Sequence, residues 1–324
     1  MELRHILQGR QLNMTGGFGY LDGQIEFKLP SPSEADVKHN NGYFYSQINV
    51  PENMIFTLGI SIDEYNDLTV NRKQVNPKAG LIWNLTPSSV LRAAVFRTLK
   101  RTLISSQTIE PTQVAGFNQF FDDVNGTDAW RFGIGFDQKL TRNLFAGGEI
   151  SRRDLTVPVT SVDPELGVVG TEDFDAKDTF AQAYLYWTPT DRFAVSAEYR
   201  YERLVRDLEA SREALAEVTT HKIPLQVGFF HPSGLFARTR ATFVDQSGRF
   251  EKVGTVGRGE VTPGNDRFWV ADMAIGYRFP ERRGLVALEV RNLFDHRFNF
   301  QDVDPSDPTV IRERTILGRL VLRF

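Results

Sequence analysis

The sequence contains no cysteine, and no apolar run approaches the roughly 20 residues that a membrane-spanning helix needs. With charged residues at 24% of the chain, a helical membrane protein is excluded. Absence of cysteine fits an oxidising envelope compartment, where an idle thiol is a liability, although cytosolic proteins also lack it. There is no excess of positive charge. Lys+Arg 38 against Asp+Glu 41 gives a formal net charge of -3, which argues against nucleic acid as a partner. No apolar segment follows Met1, whose next neighbours are Glu2, Leu3, Arg4 and His5, so no signal peptide is visible. The five histidines, His5, His39, His221, His231 and His296, have no spacing that builds a zinc site. No nucleophile, base and acid stand in a matched set, so the reading carries no catalytic residue, no metal, no cofactor and no enzymatic activity.

What the chain has instead is alternation. In the final run, Ile316, Gly318, Leu320, Leu322 and Phe324 fall on one face, and Thr315, Leu317, Arg319, Val321 and Arg323 on the other. Period two is a β-strand. One face is charged and the other asks for no water, which suits a strand between lipid and a wet lumen. The pattern recurs. Trp130, Phe132, Ile134 and Phe136 oppose Arg131, Gly133, Gly135 and Asp137. Trp269, Ala271, Met273, Ile275 and Tyr277 oppose Val270, Asp272, Ala274, Gly276 and Arg278. Ten such residues at about 3.3 Å each, tilted by about 45°, span roughly 23 Å, close to the apolar band of an outer-membrane barrel. Soluble β-sandwiches also alternate, but they seldom hide Arg and Glu repeatedly.

Turn signals divide the chain into roughly fourteen strands plus a fragment at residues 3–7. Every second connection is short and often built on proline, as at Pro51-Glu52-Asn53, Thr86-Pro87-Ser88 and His231-Pro232-Ser233-Gly234. The connections between are long and polar, including 104–127 and 159–173. Short periplasmic turns and long external loops are the signature of an all-β, antiparallel transmembrane barrel of about 14 or more strands in a bacterial outer membrane. Residues 1–324 read as one barrel domain. The missing export signal and the leftover first strand lead us to expect upstream sequence.

The end of the chain resembles the C-terminal barrel of TonB-dependent outer-membrane receptors. Val290-Arg291-Asn292-Leu293-Phe294-Asp295 and the terminal Leu322-Arg323-Phe324 carry the resemblance. Asn76-Pro77-Lys78-Ala79-Gly80-Leu81-Ile82-Trp83 looks like a further segment of the same barrels. Glu110-Pro111 with Gly116-Phe117-Asn118-Gln119 is most similar to receptor-like barrels that follow tetratricopeptide repeats. The resemblance implies binding or passage of a solute across the outer membrane. It also implies contact with outer-membrane lipid and with barrel-assembly machinery, for which Leu320, Leu322 and Phe324 are the candidate insertion signal. A periplasmic repeat domain or other N-terminal segment is an implied partner. Nothing in the sequence resembles the plug domain of the family, so energy coupling is not carried over. Two rival readings stay open: a polymer export pore fed by a repeat domain, and a blocked structural barrel anchoring a periplasmic assembly.

The candidate lumen-facing residues are Arg92, Arg131, Glu149, Glu198, Arg200, Arg238, Arg240, Asp272, Arg278, Glu289 and Arg319. They form either a charged lumen that selects a polar solute or a charge ladder that fills it. In the insert 104–127, Phe117, Asn118, Gln119, Phe120 and Phe121 are the loop candidates, since rigid strands position such loops for binding. The insert either folds inward as a constriction or stands outside as a ligand surface. The acidic stretch 302–307, and Glu172, Asp173, Asp175 and Asp178, read as solvated loops rather than cation sites.

Overall fold

The computed structural model describes residues 1–27, 33–103, 107–162, 169–206, 215–251, 261–300, 310 and 313–323. Strands dominate them. In chain order they are β1 (Glu2–Gln8), β2 (Leu12–Phe27), β3 (Ser33–Ile48), β4 (Met54–Asn66), β5 (Asn71–Thr86) and β6 (Ser89–Leu99). A short pair, β7 (Gln113–Val114) and β8 (Phe117–Asn118), precedes β9 (Asp128–Lys139), β10 (Leu144–Val162), β11 (Val169–Thr190) and β12 (Phe193–Arg206). The last five are β13 (Leu215–Phe230), β14 (Leu235–Glu251), β15 (Val261–Arg278), β16 (Gly284–Arg291) and β17 (Thr315–Leu322).

Fifteen of these strands form one sheet, ordered β1 to β6 and then β9 to β17. Each strand lies beside its neighbours in sequence. Such a meander needs only local connections, which is why alternation and turn chemistry could be read strand by strand. β7 and β8 form a separate hairpin. The chain divides into two compact units. One is Met1–Phe136 with Ile150–Asp178 and Val205–Glu213; the other is Asp137–Glu149 with Thr179–Leu204 and Ala214–Phe324.

In the first unit, the apolar faces of β4 and β9 are the exposed ones. Trp130, Phe132, Ile134 and Phe136 are 36%, 45%, 50% and 41% exposed, while Arg131 between them is 7% exposed. On β4, Leu58, Ile60 and Ile62 are exposed and Thr57, Ser61 and Asp63 are buried. A water-soluble domain has the opposite arrangement. The second unit repeats it on β15, where Trp269, Met273 and Ile275 are exposed and Phe268, Val270 and Ala274 are buried. These rows of outward apolar side chains need lipid to cover them.

The strands run further than turn signals suggest. β2 and β3 pair from Leu12↔Ile48 out to Phe27↔Ser33, through the polar stretch read as a loop. β4 and β5 are joined by only four residues, 67–70, so the short/long alternation fails there. β11 has 22 residues, about 70 Å at the usual rise, well beyond any apolar band. Cross-strand pairing satisfies backbone N–H and C=O groups outside a membrane as well as within one. Polar composition therefore marks where the environment changes, not where the strand ends.

One strand ends earlier than its pattern suggests. The alternation reads 285–300 as strand, but β16 stops at Arg291. Asn292 and Asp295 adopt positive φ, and the Asn292 side chain closes a local turn. Its Oδ1 accepts the His296 N–H at 3.0 Å and its Nδ2 donates to the His296 carbonyl at 2.9 Å. Asparagine tolerates this conformation and substitutes for a ladder bond.

Candidate functional site

Within the first unit, residues 100–103 leave β6, and residues 107–127 lie over the polar face of the strands. The base is closed by the backbone. The Lys100 N–H donates to the Thr127 carbonyl and the Gly126 N–H to the Lys100 carbonyl, both at 2.8 Å. At the tip, Val114 pairs with Phe117 around Ala115 and Gly116, which have φ of 48° and 86°. Two successive positive φ values are what a tight two-residue hairpin demands.

The hairpin reaches the sheet where side chains are missing. A Cβ at Gly80 of β5 would stand 2.8 Å from Val114 and Ala115, and a Cβ at Gly133 of β9 would stand 2.4 Å from the Phe117 ring. Ala94, Phe96, Val114, Ala115 and Phe117 pack as one buried cluster. Around it the arginines lie on aromatic rings. Arg92 and Arg131 approach Phe117 at 5.4 and 5.7 Å, Arg153 approaches Phe121 at 3.9 Å, and Arg101 approaches Phe120 at 5.5 Å. Cation–π contacts of this kind bind more strongly when desolvated. Arg131 also donates to the Asn118 carbonyl at 2.9 Å and to Ser151 at 3.0 Å.

A buried ionic network holds the insert from its other side. Arg101 contacts Asp63 of β4 at 3.1 Å and Glu110 of the insert at 2.7 Å, and all three side chains are 4% exposed or less. Asp63 also meets His39 Nε2 at 3.0 Å and accepts hydrogen bonds from Asn41 and Asn76 at 2.9 and 2.6 Å. The Tyr45 hydroxyl donates to Glu110 at 2.7 Å, and Gln119 Nε2 donates to the Pro111 carbonyl at 2.7 Å. Burial disfavours the charge on Arg101, but Glu110 and Asp63 outweigh it and hold its pKa above the ordinary arginine value. β1 joins in, with Glu2 accepting from Thr108 and from the Ile109 N–H, both at 2.9 Å. A cavity of about 360 Å³ remains beside this network, bordered by Tyr20, His39, Asn41, Arg101 and Thr108.

Among the insert's sequence candidates, Phe117 and Gln119 are fully enclosed, Phe120 and Phe121 are half-buried, and Asn118 is exposed. Arg92 and Arg131 face the insert. The network around Asp63, Arg101 and Glu110 was not legible, because its members lie up to 47 positions apart and only the fold joins them. Glu172 is exposed, whereas Asp173 and Asp178 pair with Arg72 and Arg153 at 2.5 and 2.9 Å, and Asp175 accepts from Thr156 at 3.2 Å.

In the second unit, Glu198 and Arg200 pair with each other at 2.7 Å on β12, and Tyr186 donates to Glu198 at 3.1 Å. Glu149 is half-buried on β10. Arg278 lies over Phe230 and Phe236 at 5.1 and 5.5 Å. Arg238 of β14 and Arg319 of β17 both approach Glu289 of β16 at 3.7 Å. Arg240 and Asp272 are register partners on β14 and β15. The segment after β16 forms a second inward element that sequence reading missed. Phe298 stacks on Phe268 at 4.0 Å, and Phe300 packs with Val244 and Val270 in the same buried cluster. Leu320 and Leu322 stand exposed on the apolar face of β17. Phe324 and the acidic stretch 302–307 lie outside the described residues.

No protein-family model matches the chain, and no curated protein matches it in sequence. Solved structures do. The FrpB iron transporter of Neisseria meningitidis is similar at 14% identity and a TM-score of 0.70, covering 98% of this chain and 53% of its own. The siderophore receptor PirA of Acinetobacter baumannii is similar at 13% identity and a TM-score of 0.65, with coverage of 98% and 53%. The copper transporter OprC is similar at 10% identity and a TM-score of 0.64, with coverage of 98% and 56%. The chain thus spans about half the length of the structures it matches. The strand order, the outward apolar faces and these likenesses together show that the chain has the antiparallel β-barrel fold of TonB-dependent outer-membrane receptors.

Proposed function

We propose that residues 1–324 form one barrel domain that takes part in moving a solute across the outer membrane, with the insert 104–127 as the element that controls passage. One observation carries this reading. The insert is buried on the polar face, anchored at Gly80, Gly133 and Asp63, rather than extended from the rim. An element held on the lumen side by ion pairs and ring contacts narrows the path and presents binding groups to whatever enters. The similar structures are an iron transporter, a siderophore receptor and a copper transporter, so the fold supports transport without choosing a cargo.

A blocked structural barrel is the second reading, favoured by the completeness of the Asp63–Arg101–Glu110 network. Buried ion pairs of this kind are costly to break once formed. Single-channel conductance in a planar bilayer separates the two. The transport reading expects conductance that rises when residues 107–123 are replaced by a short Gly/Ser linker. A folded, inserted protein that stays silent with and without the insert would support the blocked barrel.

A further inference from the structure

In the second unit, β14 to β17 bring four guanidiniums, of Arg238, Arg240, Arg291 and Arg319, to the neighbourhood of two carboxylates, Asp272 and Glu289. The carboxylates do not neutralise them. Glu289 is shared between Arg238 and Arg319, each 3.7 Å away at the outer limit of an ion pair. Asp272 stands opposite Arg240 in register, yet its Oδ1 accepts the Asn292 N–H at 2.9 Å. The Nε–H of Arg240 is buried and has no acceptor among the described residues. Arg238, Arg240, Arg291, Asp272 and Glu289, with Gln226, border a cavity of about 210 Å³.

A buried donor without an acceptor is an unmet demand, because native structures satisfy nearly all such groups. Here it coincides, among the described residues, with an excess of positive charge facing a space large enough for a small ligand. Oxygen-rich anions answer both needs, since carboxylate and phosphate oxygens match the guanidinium fork. We propose that this cavity binds the carboxylate or phosphate group of a small anionic solute, with Arg240 and Arg238 as its principal donors. The proposal deepens the transport reading by naming a class of solute, but binding does not require passage.

The test is calorimetric titration of the purified full chain in detergent with citrate and with pyrophosphate, at low ionic strength. At least one anion is expected to bind. Arg240→Gln and Arg238→Gln should each weaken it by about tenfold or more. Arg240→Lys should recover only part of the affinity, and Arg10→Gln, in the exposed β1–β2 turn, should leave it unchanged. Heat-modifiable gel mobility identifies variants that fail to fold, and Arg240→Lys keeps the test open if Arg240→Gln is among them. Binding of neither anion would overturn the proposal. So would wild-type affinity in both glutamine variants, or capture of an acidic peptide in place of either anion. Conductance measured on the same preparation keeps the two readings apart. Anion binding by a protein that stays silent both with residues 107–123 and with them replaced removes transport and leaves this site standing; conductance without anion binding does the reverse.

Discussion

The Phe117 ring lies against the bare backbone of Gly133, so closely that a Cβ there would stand 2.4 Å from the ring. Gly133→Ala should therefore push the tip of the insert off β9. Overpacking of this kind costs about 1–3 kcal/mol. The expected result is faster cleavage by trypsin within residues 100–127, with the barrel strands still protected. Unchanged cleavage kinetics would mean that the hairpin is not seated on β9.

Arg101 joins Asp63 and Glu110 with all three side chains enclosed. Removing the cation leaves two buried carboxylates without their shared partner. Arg101→Met should cost about 3–5 kcal/mol of stability in urea unfolding from lipid vesicles. Adding Glu110→Gln to it should restore part of the loss. A loss that is strictly additive in the double variant would show that the two groups do not interact.

Asn292 ends β16 and accepts the His296 N–H while its own N–H donates to Asp272. Asn292→Ala removes the side-chain bonds of a fully buried residue, a loss of about 1–3 kcal/mol. Amide exchange over 293–300 should accelerate as Phe298 leaves Phe268, and exchange in β15 should change little. Protection that survives throughout 293–300 would assign the turn to the aromatic packing alone.

Ile134 faces outward on β9 while Arg131 faces in. Ile134→Arg should cost about 2–4 kcal/mol in vesicles if the position lies near the bilayer midplane, and much less in detergent. Equal effects in the two media would contradict a lipid-facing β9.

Much of this fold was legible because its strongest signal is local. Alternation at residues 130–136 and 269–277 reports which environment each side chain meets, and a meander pairs each strand with the next. Arg92 and Arg131 could be assigned to the polar face from period two alone. Strand length could not be read this way, because pairing of β2 with β3 continues through a polar segment that looks like a loop. The end of β16 was hidden too, since the Asn292 turn breaks the strand without breaking the apolar pattern.

By itself the sequence determined the class of structure: antiparallel strands with one face for lipid and one for charge, joined by short turns and long inserts. It did so because period two and turn chemistry act over a few residues. Only the tertiary structure decided where residues 107–127 lie, which carboxylates Arg101 meets, and that the Arg240 Nε–H is left without an acceptor among the described residues. Those facts depend on residues far apart in the chain, from Asp63 to Arg101 and from Gly80 to Ala115. Their meeting is set by how strands curve and pack, a property no local pattern encodes.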